Sequence, residues 1–393
     1  MPKSVLALAT LLLAACGGSA PKGPTPTLLV AQAQFVDGTR PDGTKGPIPG
    51  PARLVLVPVN GAPPTVIEDP DSNAFHKAMP WENGFLTIGA TKAELKTWVR
   101  DGGSWKGTSR WNPTFGGKFD RLRDVEQGDV DRDGKDELVI ATHDQGVVAI
   151  VHPFDNWRVE EIDRRPNTFV HEIELGDVDG DGQLEIFATP SNPNKLDTEQ
   201  AGEVTVYRRT TAGWERGVVD RPGDTHAKEI LAADTDGDGK AELYVVWEGA
   251  VGANGQLVRP VTLTQYRWVN GSFMGAPVGT VPDRQMRSLN AGDVTGDGTI
   301  DLVGSALTSG IWLFERQPDG AWKRSSIDTA SSGFEHPVHL ADLDGDGKLE
   351  VYVASEDQQE LRRYKFKDGK WEKSVVAPLR KGDITWNVMH AIL

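Results

Sequence analysis

Cysteine is almost missing from this chain: Cys16 is the one thiol among 393 residues. No disulfide can form within the monomer, so outside the reducing cytoplasm the fold has to be held by packing or by metal. Long hydrophobic runs are missing too. The apolar stretch Val5 to Ala15 is too short for a permanent membrane span, and no later segment approaches the roughly eighteen apolar residues that one needs. Positive charge is in short supply, with 42 Lys and Arg against 57 Asp and Glu and a net charge of −15, which argues against nucleic acid as a partner. There is no Ser nucleophile elbow, phosphate-cradling Gly-rich loop, Cys-x-x-Cys pair or His-Glu-x-x-His segment. The commoner hydrolase, nucleotide-binding and zinc-protease chemistries are excluded with them.

What the chain does have is one acidic unit, five times over. The clearest copy is Gly176-Asp177-Val178-Asp179-Gly180-Asp181-Gly182-Gln183-Leu184-Glu185, and the others start at Asp129, Asp234, Asp293 and Asp342. Alternating carboxylates followed by a glycine able to take positive φ let a chain wrap oxygen atoms around one hard cation, and calcium is the natural occupant. Up to five calcium ions are expected. Their ligands would be the side chains at positions one, three, five and nine and the carbonyl at position seven. These are Asp129, Asp131, Asp133, Lys135 and Glu137; Asp177, Asp179, Asp181, Gln183 and Glu185; Asp234, Asp236, Asp238, Lys240 and Glu242; Asp293, Thr295, Asp297, Thr299 and Asp301; and Asp342, Asp344, Asp346, Lys348 and Glu350. An EF-hand begins the same way but requires flanking helices and a bidentate Glu at position twelve, where these copies carry Ile140, Ala188, Val245, Gly304 and Val353. The segments that follow the loops, such as Leu349-Glu350-Val351-Tyr352-Val353, are short and rich in β-branched and aromatic residues, hence strands. Calcium would clip strand-to-strand turns. The fourth copy departs from the rest with Thr295 at position three and Asp301 at position nine.

Residues 1–15 read as a signal peptide, and Leu13-Ala14-Ala15-Cys16 resembles the lipobox of bacterial lipoproteins. That resemblance implies cleavage before Cys16, lipidation of its thiol and amine, and stable membrane anchoring by several acyl chains. An ordinary leader with an incidental cysteine is the alternative. Gly17 in place of Asp implies sorting to the outer membrane in a Gram-negative envelope. Residues 16–26 form the lipidated cysteine and a Gly/Pro/Ser tether. Loss of Lys3 with the leader makes the net charge −16, and five divalent ions would bring it to −6, so the acidity is explained mainly by metal ligation.

The first aspartates of the loops are separated by 48, 57, 59 and 49 residues, a period that suggests four-stranded propeller blades. An aromatic after a Gly-bearing turn recurs at Trp105, Trp157, Trp214, Phe273, Trp322 and Trp371, marking six outer strands. A seventh blade emerges when the two ends are combined: Leu28 to Ala31, Arg53 to Val59 and Thr65 to Asp69 supply three strands, and Ile384 to Ala391 supplies the first. The expected fold is all-β, a seven-bladed β-propeller over residues 27–393 closed by N- and C-terminal strands in one blade. An open solenoid is the alternative, but it would leave the ends with exposed edges. The His76 to Trp111 blade and the closing blade are expected to be metal-free. Insertions are expected at Phe35 to Pro51, Asn192 to Gly202 and Gly249 to Pro260.

The repeats resemble the FG-GAP/VCBS repeats of integrin α-chain propellers and of many secreted bacterial proteins. The resemblance rests on the five loops and their period, although the literal Phe-Gly and Gly-Ala-Pro signatures are not at their usual places. It implies a calcium-binding propeller. It leaves the activity open, because such repeats occur in adhesion modules, lectins, polysaccharide lyases and a sugar dehydratase.

Six residues before each first Asp stand Arg123, His171, Lys228, Arg287 and His336, all basic or imidazole in a chain with only 42 Lys and Arg and 8 His. His76 and Trp386 join them from the two loop-free blades. This column is either a cationic ring at a channel mouth that binds an anionic carbohydrate or peptide carboxylate, or a set of inter-blade salt bridges with Asp124, Glu172, Glu229 and Glu335. The histidines His76, His171, His336, His339 and His390 would converge on the axis if they held a second, transition metal. Trp81, Trp111, Trp247 and Trp386 fall outside the aromatic pattern and are the candidate ligand contacts. Two functions remain. The favoured one is an envelope-anchored surface binding or adhesion module, a monomer with a carbohydrate or protein ligand. The other is a carbohydrate-active carbon-oxygen lyase or dehydratase with His171, His336 and Arg287 as catalytic candidates.

Overall fold

The computed structural model describes residues 24–90, 92–117, 120–193 and 200–393. Cys16, the leader and most of the tether lie outside the described residues. Among the described residues there is no helix, and the strands assemble into seven four-stranded antiparallel sheets and one two-stranded hairpin. Six of the four-stranded sheets are consecutive meanders. Their first strands are Phe75–Trp81, Arg121–Gly128, Phe169–Gly176, Ala227–Ala233, Met286–Gly292 and Val338–Ala341.

The remaining sheet is made from both ends of the chain, in the order Thr65–Asp69, Lys45–Pro58, Pro26–Thr39, Ile384–Ile392. Val30 pairs with Val388 and Leu28 with His390, and Thr25 and Leu393 exchange backbone hydrogen bonds of 2.7 and 3.1 Å. Each first strand touches the first strand of the next sheet, and Ile384–Ile392 touches both Val338–Ala341 and Phe75–Trp81. The architecture is propeller-like.

Alternation along these strands explains the packing. Both faces of a middle strand are covered, so Leu138-Val139-Ile140-Ala141 and Leu243-Tyr244-Val245-Val246 are apolar on successive residues and fully buried. A separate apolar cluster lies at each of seven sheet-to-sheet interfaces. One joins Leu28, Val30 and Val388 to Tyr352, Ala354 and Leu361, which binds the sheet from the two ends to the last meander. The outer-strand aromatics complete these clusters: Trp105, Trp157, Trp214, Phe273, Trp322 and Trp371 each pack against the edge of one.

Two expected insertions fold differently. Phe35 to Pro51 is no loose loop, because Pro26–Thr39 and Lys45–Pro58 continue as one hairpin with Phe35 opposite Pro49 and Thr39 opposite Lys45. Its prolines sit on a ladder that is free to run past the sheet, where a missing N–H is tolerated. Gly249 to Pro260 contains the short hairpin Ala250–Val251 with Leu257–Arg259. Of Asn192 to Gly202, residues 194–199 lie outside the described residues.

Truncation after Asp383 should strip Pro26–Thr39 of its partner and expose a sheet edge. Size-exclusion chromatography is expected to show loss of the monomer. Val388→Ala, milder, should cost about 2 kcal/mol in denaturant unfolding.

Candidate functional site

Each acidic loop joins the first and second strands of a sheet. The first-position aspartate accepts hydrogen bonds from the loop's own amides: Asp177 from Gly180 at 2.7 Å and Gly182 at 2.8 Å, Asp342 from Gly345 and Gly347 at 2.8 Å. The sixth-position glycines have φ between 81° and 88°, a conformation that a side chain would strain. One oxygen of the ninth-position acid takes the second-position amide, as in Glu137 with Val130 at 3.2 Å and Glu185 with Val178 at 3.1 Å. Asp301 does the same for Val294 at 3.3 Å.

The residues suit a hard cation. Carboxylate oxygens come within 4.8 Å of one another in four loops, among them Asp177 with Asp179 and Glu185, Asp234 with Asp236 and Glu242, and Asp342 with Asp344, Asp346 and Glu350. Asp131 Oδ1, Asp236 Oδ1 and Asp301 Oδ1 are buried without a hydrogen-bond partner. Burial, with help from the neighbouring aspartates, pushes Glu137 and Glu185 up to about 7, and burial raises Asp301 to about 6. The loop with Thr295 gathers no such group; the Thr295 hydroxyl donates to Asp301 at 3.1 Å instead.

The basic column has a structural identity that spacing alone does not reveal. His76, Arg123, Lys228, Arg287 and Trp386 each occupy the extra position of a β-bulge near the start of their strand, and His171 with Glu172 spans another. A bulge re-aims a side chain out of the pleat. His76, Arg123, Arg287 and Trp386 line one central cavity of about 190 Å³. His76 packs edge-on against Trp386 at 4.6 Å, the Arg123 guanidinium lies 5.1 Å from the same indole, and Arg287 lies 4.6 Å from Phe334.

The ring is not uniformly cationic. Glu335 pairs with Arg287 at 2.5 Å and lies 3.6 Å from Arg123, which is also 3.7 Å from Glu172. Deeper in, Lys77 donates to Asp124 at 3.0 Å and to Glu126. Six carboxylates, Asp124, Glu126, Glu172, Glu174, Glu229 and Glu335, thus line the cavity with Lys77, Arg123 and Arg287. Burial and the Asp124 charge hold Glu172 and Glu229 well above the ordinary range, and burial with the Glu126 charge does so for Glu174. Among the described residues Lys228 makes no ion pair; burial and Arg287 depress its amine to about 8. Arg287 Nε and Nη2 and Trp386 Nε1 are buried without an acceptor.

The histidines scatter. His336, at φ 50°, donates from Nδ1 to the Ala306 carbonyl at 2.7 Å and accepts from Ser331 at 2.7 Å, so both ring nitrogens serve the fold. His171 bonds Ser191 at 3.1 Å and abuts His143 and His226. His339 and His390 share a 2.7 Å hydrogen bond. Among the described residues no three of these rings offer nitrogens within coordination range of one another. Trp81 packs on Phe154 and Trp157, Trp111 on Phe115, and Trp247 is in the core, leaving Trp386 as the indole at the cavity. Lys77, Glu126 and Glu174 were missed by the column; Lys77 directly follows His76, and Glu126 and Glu174 stand two residues beyond Asp124 and Glu172, the period-two alternation that would have found them.

The family model described as FG-GAP-like repeat matches residues 129–188, 177–245 and 293–353, which together take in all five loops. The chain carries FG-GAP-like repeats. No curated protein matches it by sequence. Among solved structures, the FG-GAP-like chain is similar to one from Bacteroides fragilis NCTC 9343 named a "putative 6-phosphogluconolactonase", with TM-score 0.54, 10% identity, and coverage of 95% of this chain and 100% of that one. A protein from Lactobacillus plantarum aligns with TM-score 0.52 and 12% identity over 93% of this chain and 99% of its own. At such identities the likeness concerns the fold alone.

A carboxyl whose folded pKa is raised destabilises the metal-free fold once it must ionise. The penalty sets in above the ordinary value of 4.5 and is complete above about 7 for Glu137 and Glu185. Calcium offsets it. The gap in melting temperature between calcium-loaded and chelated protein should therefore widen from pH 5 to pH 8, each loop adding about 2.7 kcal/mol at a hundredfold excess over its Kd. Equal melting with and without chelator across that range would count against metal in the loops.

Proposed function

We propose that this protein is a calcium-stabilised, seven-bladed propeller, lipid-anchored in a bacterial envelope through Cys16, that binds an anionic ligand such as a uronic sugar at the bulged mouth of its channel. One observation carries the ligand reading: Arg287 Nε and Nη2 and Trp386 Nε1 are buried donors without a hydrogen-bond acceptor, Glu248 Oε1 standing off at 3.8 Å from Nε, and among the described residues the buried Lys228, which senses the Arg287 charge, makes no ion pair. Buried donors cost free energy until an acceptor arrives. A ligand carboxylate would supply one, and the Trp386 and Phe334 rings would cover its apolar face. The ring is completed, on this reading, by the sheet that joins Pro26–Thr39 to Ile384–Ile392.

Titration calorimetry with galacturonate and glucuronate oligomers, against neutral hexose oligomers, tests the ligand. Uronate should bind and the neutral sugars should not. Lys228→Met should weaken uronate binding about ten- to a hundredfold, the worth of a charge-assisted hydrogen bond. Equal or absent binding of both sugar classes would remove the anion site. For the anchor, Cys16→Ser should release the protein from the detergent phase to the aqueous phase.

A second reading is favoured by the raised carboxyls. Glu172 and Glu174, whose pKa values burial raises, are general-acid candidates for elimination from an acidic polysaccharide. Release of unsaturated product, lost in Glu172→Gln, would favour it.

A further inference from the structure

The third strand of each loop-bearing sheet places one residue across from the ninth-position acid. In three sheets that residue is a fixed cation: Arg208 lies 3.5 Å from Glu185, Arg267 3.2 Å from Glu242 and Lys365 3.2 Å from Glu350. In the fourth it is Glu315, one step beyond the Leu302–Phe314 pair. In the first loop it is His152. Guanidinium and ammonium groups only offset charge, whereas a neutral imidazole can coordinate.

His152 ends the strand Val148–His152 and is 6% exposed. Its Nδ1 stands 3.6 Å from Glu137 Oε1 and 3.8 Å from Asp131 Oδ2, too far for hydrogen bonds. Two ligands each about 2.0–2.2 Å from a shared ion at tetrahedral or slightly wider angles lie roughly 3.4–3.7 Å apart. The observed gaps are close to that separation. Asp131, Glu137 and His152 form a group with ligand atoms within 4.8 Å of one another, and Asp131 Oδ1 is a buried orphan. Behind the ring, Nε2 is also without a hydrogen-bond partner and faces Glu160 Oε2 at 3.6 Å. A carboxylate behind the imidazole is the arrangement that orients metal-ligating histidines.

We infer that the first loop is a mixed nitrogen–oxygen site that takes a zinc-class transition ion through His152 Nδ1, Asp131 and Glu137, while the other loops remain oxygen-only sites. Asp131 also belongs to the oxygen set with Asp129 and Asp133, so calcium and the transition ion compete in this one loop. Borderline ions favour the imidazole, and calcium favours the all-oxygen set. The inference is independent of what binds in the channel.

The test uses the full chain without a histidine tag, in calcium excess so that the oxygen-only loops are filled. Co²⁺ should give visible d–d bands that saturate at one equivalent and are abolished by one equivalent of Zn²⁺. His152→Gln should lose that equivalent, with Zn²⁺ affinity falling at least tenfold, while His226→Gln and His390→Gln keep it. X-ray absorption of the zinc-loaded wild type should show scattering from one imidazole, and it decides the matter even if His152→Gln does not fold. Oxygen-only scattering, unchanged affinity in His152→Gln, or no Co²⁺ uptake by the wild type would each overturn the inference.

Discussion

Carboxylates crowded into low-dielectric surroundings must be given a counter-charge or a proton, and this molecule repeats that problem at two radii. At effective dielectric constants near 20, two like charges about 4 Å apart repel by about 4 kcal/mol, more than any single loop hydrogen bond returns. The loops meet the repulsion partly with cations from the third strand of the same sheet: Lys365 reaches Asp344 and Asp346 at 2.7 Å, and Arg267 reaches Asp236 at 2.6 Å. The channel meets it with Lys77, Arg123 and Arg287, and burial there raises the pKa of three glutamates well above the ordinary carboxyl range. The two solutions differ in kind. A loop open to solvent can recruit an ion, whereas a buried strand face has to carry its compensation in its own sequence.

That difference explains what was legible from the residues alone. Loop position, strand order and the pairing of the two chain ends follow from local patterns: a carboxylate at every second residue, an apolar strand after it, an aromatic after a turn. Val388 opposite Val30 is a long-range pair, yet the missing first strand of the Leu28 to Asp69 group demanded it. The sign of the channel was not legible. The basic column was visible at Arg123, Lys228 and Arg287, but Glu335, next to His336 in sequence, reaches the Arg123 and Arg287 guanidiniums of two different sheets and offsets part of their charge, leaving Lys228 outside those pairs. Such convergence is a property of the ring, not of any one repeat. His336 shows the same limit: it shares the column's spacing, but it precedes Val338–Ala341 at positive φ and turns into the fold instead of the channel.

The bulges connect the two halves of the molecule. A regular strand would alternate its side chains between channel and sheet interface, and the column residues would then compete with core positions such as Val125 and Ile230 for the same face. The extra residue at Arg123, Lys228 and Arg287 re-aims those side chains and moves the register by one, after which the ladder is regular and Val125 pairs with Ile140 and Ile230 with Val245. The core and the mouth can therefore vary separately. A substitution at a bulge should alter ligand recognition while the apolar clusters between sheets stay packed.

Distance separates the metal from the ligand. Each column residue stands six positions before the first loop aspartate, a rise of about 20 Å. A divalent ion in a solvent-facing loop would lie well beyond the Debye length of about 8 Å at physiological ionic strength, so its direct effect on a carboxylate bound at the mouth would be small. What it can transmit is rigidity. The loop clamps the far end of a strand whose near end carries the bulge, and the first strands touch one another in sequence around the cavity. On the proposed reading, freeing one loop would let that strand's register and tilt relax against both neighbours and move Arg123 or Arg287 relative to Glu335. Metal occupancy would then act on binding mainly through the geometry of the guanidiniums, an effect that should survive high salt, whereas direct attraction of the ligand by Lys228 should not.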